Sequence, residues 1–232
     1  MTCIAAGRMD DLPPDIRLGL GAYRYDVFVR RLGWALAHDA GGDASEWDQF
    51  DCDSTVHVVA LGTGRLVCGC ARLLPTTGPY LLRDVFPQLL GQHPPPVSPM
   101  VWELSRFAAS VPRPQMGRAC ARDAPGMALF PYALAVAASL GATSIVGVVT
   151  LSIERLYRRA SIDLQRIGAI DGRPHARVAA CSVELSPRTF VRLGSNAANL
   201  MQAVRWFGPV PADVNRTAPG TTQDRRSVTS YT

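Results

Sequence analysis

The chain has no lysine. All 24 of its basic residues are arginine, so no side-chain amine is available for a Schiff base or as a tuned amine base. Arginine stays charged and offers a planar fork that suits carboxylates and phosphates. Zinc-type spacing is missing as well. The six cysteines at 3, 52, 68, 70, 120 and 181 form no Cys-x-x-Cys pair, and the four histidines at 38, 57, 93 and 175 lie far apart. We therefore expect no metal. No apolar run reaches the roughly 18 residues that span a membrane. The opening MTCIAAGRMDDLPP has no long apolar stretch of the secretory kind. These absences predict a cytoplasmic protein with reduced thiols and no membrane insertion.

What is present reads as an ordinary globular domain. The chain has 232 residues and a formal net charge of +5, enough length for one sizeable core. The arginine excess suits an acidic protein or a phosphate-bearing ligand. No basic stripe interleaved with aromatics appears, so nucleic acid is not expected as a partner.

Residues 2–7 read as a first strand. Asp11-Leu12-Pro13-Pro14 reads as a helix start, followed by Ile16, Leu20, Tyr23 and Val27 on one helical face. Val56 to Leu61 and Arg65 to Leu74 form a predicted hairpin around Gly62-Thr63-Gly64. Leu81 to Leu90 is short and helical or irregular, and Val101 to Ala109 is a strand. Pro112 to Pro125, with Arg113, Arg118 and Arg122, is a loop. Met127 to Leu140 is an apolar helix capped at Gly141. Ser144 to Thr150 is a strand, Ser152 to Ala160 a helix and Ala176 to Leu185 a strand. Pro187 to Phe207 reads as a last, broken helix. The order predicts an α/β fold with a mixed sheet and helices on both faces. One domain over residues 1–208 accounts for it, and 209–232 is a polar tail expected to be disordered.

Three clusters set polar groups among core-like residues. Arg24 and Phe28, with Gly33-Trp34, form either an amphipathic helix or an aromatic wall with a cationic clamp. Such a wall stabilises a bound cation by roughly 1 kcal/mol. The run Glu46 to Asp53 is a solvated acidic loop or a partner for a cation and for Arg72, which sits in the apolar strand segment Cys70 to Leu74. Trp102-Glu103-Leu104-Ser105-Arg106 places an acid, a hydroxyl and a guanidinium in one strand. Buried charge must be paired. Strand alternation puts Glu103, Ser105 and Phe107 on one face and Trp102, Leu104 and Arg106 on the other. Arg106 then shares a site with Glu103 only if a bulge or a parting of strands turns it.

These blocks resemble the acyl-homoserine lactone (autoinducer) synthases. The match runs through Arg24-x-x-Val27-Phe28, Leu32-Gly33-Trp34 and Asp48-x-x-Asp51. It continues through Arg72-Leu73-Leu74-Pro75-Thr76, Phe86-Pro87 and Glu103-Leu104-Ser105-Arg106-Phe107, with a weaker extension through Glu154-Arg155-Leu156. The resemblance implies a three-layer α/β/α sandwich with a splayed central sheet, similar to the GNAT-type acyltransferase fold. It implies a quorum-sensing enzyme that transfers an acyl group from acyl carrier protein or acyl-CoA to the amine of S-adenosylmethionine. Lactonisation then releases methylthioadenosine. S-adenosylmethionine is a substrate, and no tightly bound cofactor is expected.

By that resemblance Glu103, through a water, or Asp48 is the base, and Ser105 and strand amides are oxyanion donors. Arg24, Phe28, Trp34, Asp48, Asp51, Arg72 and Arg106 form the S-adenosylmethionine site. Phe107, Met127, Thr150 and Leu151 line the acyl pocket, with Thr150 tied to 3-substituted chains or else a helix cap. Arg155, Arg158, Arg159 and Arg166 present a basic face to the acidic carrier. The alternatives are a GNAT-type N-acyltransferase, for which a Gly-rich pyrophosphate loop is poorly represented, and a non-catalytic acyl-carrier-binding protein.

Overall fold

A computed structural model describes residues 3–34, 44–110, 127–171 and 177–210. One eight-stranded mixed sheet organises them. In chain order the strands are β1 (Cys3–Arg8), β2 (Val56–Leu61), β3 (Val67–Pro75), β4 (Val101–Ala109), β5 (Ser144–Thr150), β6 (Leu164–Asp171), β7 (Val178–Glu184) and β8 (Val204–Phe207). Their spatial order is β6-β7-β5-β4-β3-β2-β1-β8. Parallel pairs occur at β4–β5 and β1–β8, and the other pairs are antiparallel.

The helix α1 (Pro14–Arg24) starts on Pro14 with Asp15 in its first turn and buries Ile16 and Leu20. It runs on as a π-helical stretch, Tyr25–Arg31, whose wide turn keeps Phe28 buried after Arg24. On the same side of the sheet lie the short α2 (Leu81–Asp84) and a 3-10 turn at Pro87–Leu90. The opposite side carries α3 (Phe130–Ser139), α4 (Leu151–Arg159), α5 (Pro187–Arg192) and α6 (Ala197–Gln202). Ala133, Leu134, Ala135, Val136 and Ala137 are all fully buried in α3. That explains why this stretch is apolar all round and not along one stripe. Gly141 follows at φ +87°, a backbone shape that only glycine adopts without strain.

The structure corrects the sequence reading in four places. Leu164–Asp171 is a strand that the polar residues Gln165, Arg166 and Asp171 disguise at a sheet edge. Pro187 to Phe207 is two short helices and then β8, which lies parallel to β1 and completes the far edge. Met127–Leu129 is a turn ahead of α3. The fourth correction, at Arg106, is described with the site. The loop with Arg113, Arg118 and Arg122, and the tail from residue 211 on, lie outside the described residues. Among the described residues no helix is long and apolar enough to cross a membrane.

Candidate active site

Three arginines and three acids meet beneath α1. Arg24 and Arg72 are essentially inaccessible, and Arg106 and Glu46 nearly so. Arg24 donates through Nε to Glu46 and through both Nη atoms to the two oxygens of Asp51, at 2.8 and 2.9 Å. Arg72 Nη1 donates to Asp48 at 2.6 Å and lies 3.1 Å from Asp51, while its Nε donates to Ser105 Oγ at 3.0 Å. Arg106 reaches Glu46 Oε1 and Asp48 Oδ2 at 2.9 and 2.6 Å. Each acid thus touches two guanidiniums, which is what allows so much charge to leave water. The cluster has equal numbers of each sign.

Burial works to raise the Asp51 pKa, but the Arg24 hydrogen bonds and charge, with Arg72, hold it well below the usual carboxylate range. Arg24 is held correspondingly above its ordinary value against its own burial. His57 on β2 lies 3.8 Å from Asp51 through Nε2, and burial pushes its pKa down to about 3, so it is neutral. An aromatic layer covers the cluster. Trp47 stacks under Arg24 at 4.8 Å, and Phe28 and Trp34 stack on each other at 4.9 Å beneath Arg106.

Arg106 reaches this face because β4 is bulged. Its φ is +46°. Cys70 pairs with Ala108 and Arg72 with Ser105, so Arg106 and Phe107 together oppose the single residue Ala71. The extra residue resets the alternation. Arg106 joins Ser105 and Arg72, and Phe107 turns to the other side, edge-on to Phe130 at 5.7 Å. The alternation read from sequence is therefore wrong beyond Ser105, and the bulge is the physical reason.

Past the bulge the sheet opens. β4 and β5 pair only from Val101–Glu103 against Ser144–Val146. Gly147 then lies so close to the Leu104 carbonyl that a Cβ would sit 2.8 Å from it. Beyond that point the strands part around a cavity of about 570 Å³. Trp34, Ser105 and Arg106 line it together with Phe130, Tyr157, Leu164 and Cys181. Phe107 and Thr150 are in its wall. Met127 and Leu151 are not. Met127 packs in the core beside Leu129 and Phe130, and Leu151 faces a separate surface groove. Thr150 is also the N-cap of α4, accepting from Ile153 N at 3.3 Å and bonded to Ser152 Oγ at 2.8 Å.

Glu103 is fully buried, and its oxygens accept from the backbone amides of Leu81 and Leu82 at 2.8 and 2.7 Å. Burial raises its pKa to about 7 against the opposing pull of those two amides. It is absent from the cavity wall, although Leu104, Ser105 and Arg106 line it. Asp48 keeps 15% of its side chain exposed. The buried Glu154 of α4 is held by Arg158 of the same helix and Arg166 of β6, at 3.0 and 2.8 Å. Arg155 and Arg159 are exposed with no ion pair among the described residues.

Sequence reasoning passed over Glu46 as one acid of a loop, yet it joins Arg24 to Arg106. It also passed over His57 and Tyr157. Only the unusual density of acids beside Trp47 signalled Glu46. Tyr157 lay on a helix face that its arginine neighbours made look solvated.

An α/β/α sandwich whose central strands part over an apolar cavity with a charged mouth is the architecture of an acyltransferase. A solved putative N-acetyltransferase from Lactobacillus plantarum shares this fold at a TM-score of 0.51 and 18% identity, covering 80% of this chain and 99% of that one. The chain belongs to the autoinducer synthase family, whose model matches residues 19–191. It is 46% identical over 194 residues to an acyl-homoserine-lactone synthase of Ralstonia solanacearum, covering 81% of this chain and 91% of that protein. A crystal structure of TofI in a ternary complex with an inhibitor and MTA superposes with a TM-score of 0.70 at 40% identity, over 85% of this chain and 98% of that one.

Proposed function

We propose that this chain joins an acyl group to the amine of S-adenosylmethionine and releases an acyl-homoserine lactone with methylthioadenosine. The observation that carries the reading is that one cavity is lined both by the charged and aromatic Arg106 and Trp34 and by many apolar side chains. The charged and aromatic groups suit a ligand that is both zwitterionic and sulfonium-bearing: arginine for its carboxylate, aromatic faces for its cation. The binding of MTA by TofI supports this use of the site. The apolar side chains suit the acyl chain.

Arg24, Phe28, Trp34, Asp48, Asp51, Arg72 and Arg106 shape the S-adenosylmethionine site, with Phe107 and Thr150 in the acyl wall. The amine must lose a proton before it attacks the thioester carbonyl. Glu103, with a pKa raised to about 7, has the basicity to take that proton, but it has no face on the cavity and can act only through an intervening water. Asp48 is the alternative base because it is the more accessible of the two. Ser105 can donate to the oxyanion, since its oxygen already accepts from Arg72 and its proton is free. Attack of the methionine carboxylate on the carbon next to sulfur then closes the ring and expels methylthioadenosine.

The acyl donor is an acyl carrier protein, or acyl-CoA, docked by Arg155 and Arg159. Arg158 and Arg166 contribute less because Glu154 holds them. The enzyme works in the cytoplasm, in keeping with free thiols at Cys3, Cys52, Cys68, Cys70 and Cys181. Residues 1–208 form the synthase domain. The test is to incubate purified protein with S-adenosylmethionine and a panel of acyl carriers. Mass spectrometry then looks for acyl lactone and methylthioadenosine together. A panel that yields neither refutes the reading.

A further inference from the structure

Most of the inner cavity is apolar, yet Tyr157 of α4 brings a phenol into it. The ring is 6% exposed, tilts against Phe130 at 4.8 Å and sits in the cavity wall with Leu164 and Cys181. Its hydroxyl has no hydrogen-bond partner among the described residues, and burial alone acts on it, raising its pKa well above the ordinary value. The oxygen is also not sealed into the packing, as His57 Nε2 and Arg72 Nη2 are. It therefore borders open space within the wall.

The other hydroxyls of this wall each have a partner. Thr150 Oγ accepts from the Ile153 amide and shares one hydrogen bond with Ser152 Oγ at the start of α4. Ser105 accepts from Arg72. Tyr157 is the lining hydroxyl with no partner among the described residues, and it is itself buried. A hydroxyl removed from water without a partner is unfavourable. A ligand that supplies an acceptor there relieves this, and a plain alkyl chain perpetuates it. Sites built to hydrogen-bond a substrate oxygen discriminate in this way against analogues that lack it.

We propose that Tyr157 is a specificity-determining residue that selects acyl groups carrying a hydrogen-bonding oxygen on the chain, a hydroxyl or a ketone, over saturated chains of equal length. The inference rests on the synthase reading and deepens it. It moves the recognition of a substituted chain from Thr150, whose hydroxyl caps a helix, to Tyr157.

The experiment uses the full-length protein with S-adenosylmethionine and four donors of one chain length: saturated, 3-hydroxy, 3-oxo and ω-hydroxy. Each is supplied as acyl carrier protein and as CoA thioester. Lactone formation gives kcat/KM for wild type and for Tyr157→Phe, which removes only the oxygen. The expected wild-type profile favours one oxygenated donor by about 10-fold, the size of one neutral hydrogen bond. Which donor wins locates the oxygen along the chain. In Tyr157→Phe the ratio should fall to about 1, with the KM for S-adenosylmethionine unchanged. A wild type that prefers or equally accepts the saturated donor overturns the proposal, and this needs no variant to fold. A preference that survives in Tyr157→Phe also overturns it. Lactone from no donor at all instead refutes the synthase reading, and this inference falls with it.

Discussion

Replacing Glu103 with glutamine should make the protein more stable in alkaline solution while it removes most activity. The carboxyl is sealed beneath α2 with its pKa raised from 4.5 to about 7. A folded-state pKa above the unfolded one means the folded protein binds the proton more tightly. Stability from this group is therefore full below about pH 4.5, falls as pH rises towards 7, and is level above. The rise in pKa corresponds to roughly 3 kcal/mol. Protonated glutamate can still accept from both amides, one on its hydroxyl oxygen, whereas glutamine turns an NH2 group towards one of these N–H donors and loses that hydrogen bond, about 1 kcal/mol, at every pH. The variant should thus be the less stable of the two at pH 5 by about 1 kcal/mol. At pH 8 only the wild type holds a buried carboxylate, so the difference should shift in favour of the variant by roughly 2–3 kcal/mol. Urea unfolding at both pH values measures this. The comparison cancels all other titrating groups, including Asp51. Turnover at pH 8 should fall by a factor on the order of 10² to 10⁴ if Glu103 is the base. A stability difference that is the same at both pH values would refute the burial argument. An undiminished rate would move the base role to Asp48.

Arg24→Met should destabilise the fold by about 3–5 kcal/mol in urea, because it strands Glu46 and Asp51 as buried carboxylates. Asp51 has the opposite sign to Glu103. Its lowered pKa contributes stability above about pH 4 that is lost as pH falls further, so Asp51→Asn, though less stable at pH 7, should show a shallower acid transition by circular dichroism. Thr150→Val should lower stability by about 1 kcal/mol through loss of the α4 cap without changing the ratio of substituted to saturated products. Reversing charge at Arg155 and Arg159 should raise KM for acyl carrier protein several-fold and flatten its salt dependence. Equal effects on acyl-CoA and acyl carrier protein would argue against protein docking there.

Much of the sheet was readable because β2, β5 and β7 carry runs of Val, Ile and Ala between clear turn signals. β6 was not, since an edge strand with one solvated face looks like a loop. β8 was misread because its four residues follow two helical turns and gain their strand identity only from pairing with β1. At the site, Arg24, the acidic run 46–53, Arg72 and Arg106 stood out as polar groups among core-like residues, and the resemblance to the synthases singled out Asp48 and Asp51. Neither signal could show which faced which. Register decides that, and a single αL residue at Arg106 shifts the register in a way no periodicity contains. Glu46 and Tyr157 depend on packing between segments far apart in the chain.

The parting of β4 from β5 leaves an unfinished sheet. From Leu104 and Gly147 onward, two strands face each other across open space with their peptide groups unladdered on that side. A ligand in the gap stands between two strand edges that do not pair with each other beyond Glu103 and Val146. Occupancy and folding are then one equilibrium. Ligand at a hundred times its dissociation constant should add about 2.7 kcal/mol to the unfolding free energy, most of it felt at the seam. The gap that admits a ligand is thus also the place where the sheet has most to gain from one.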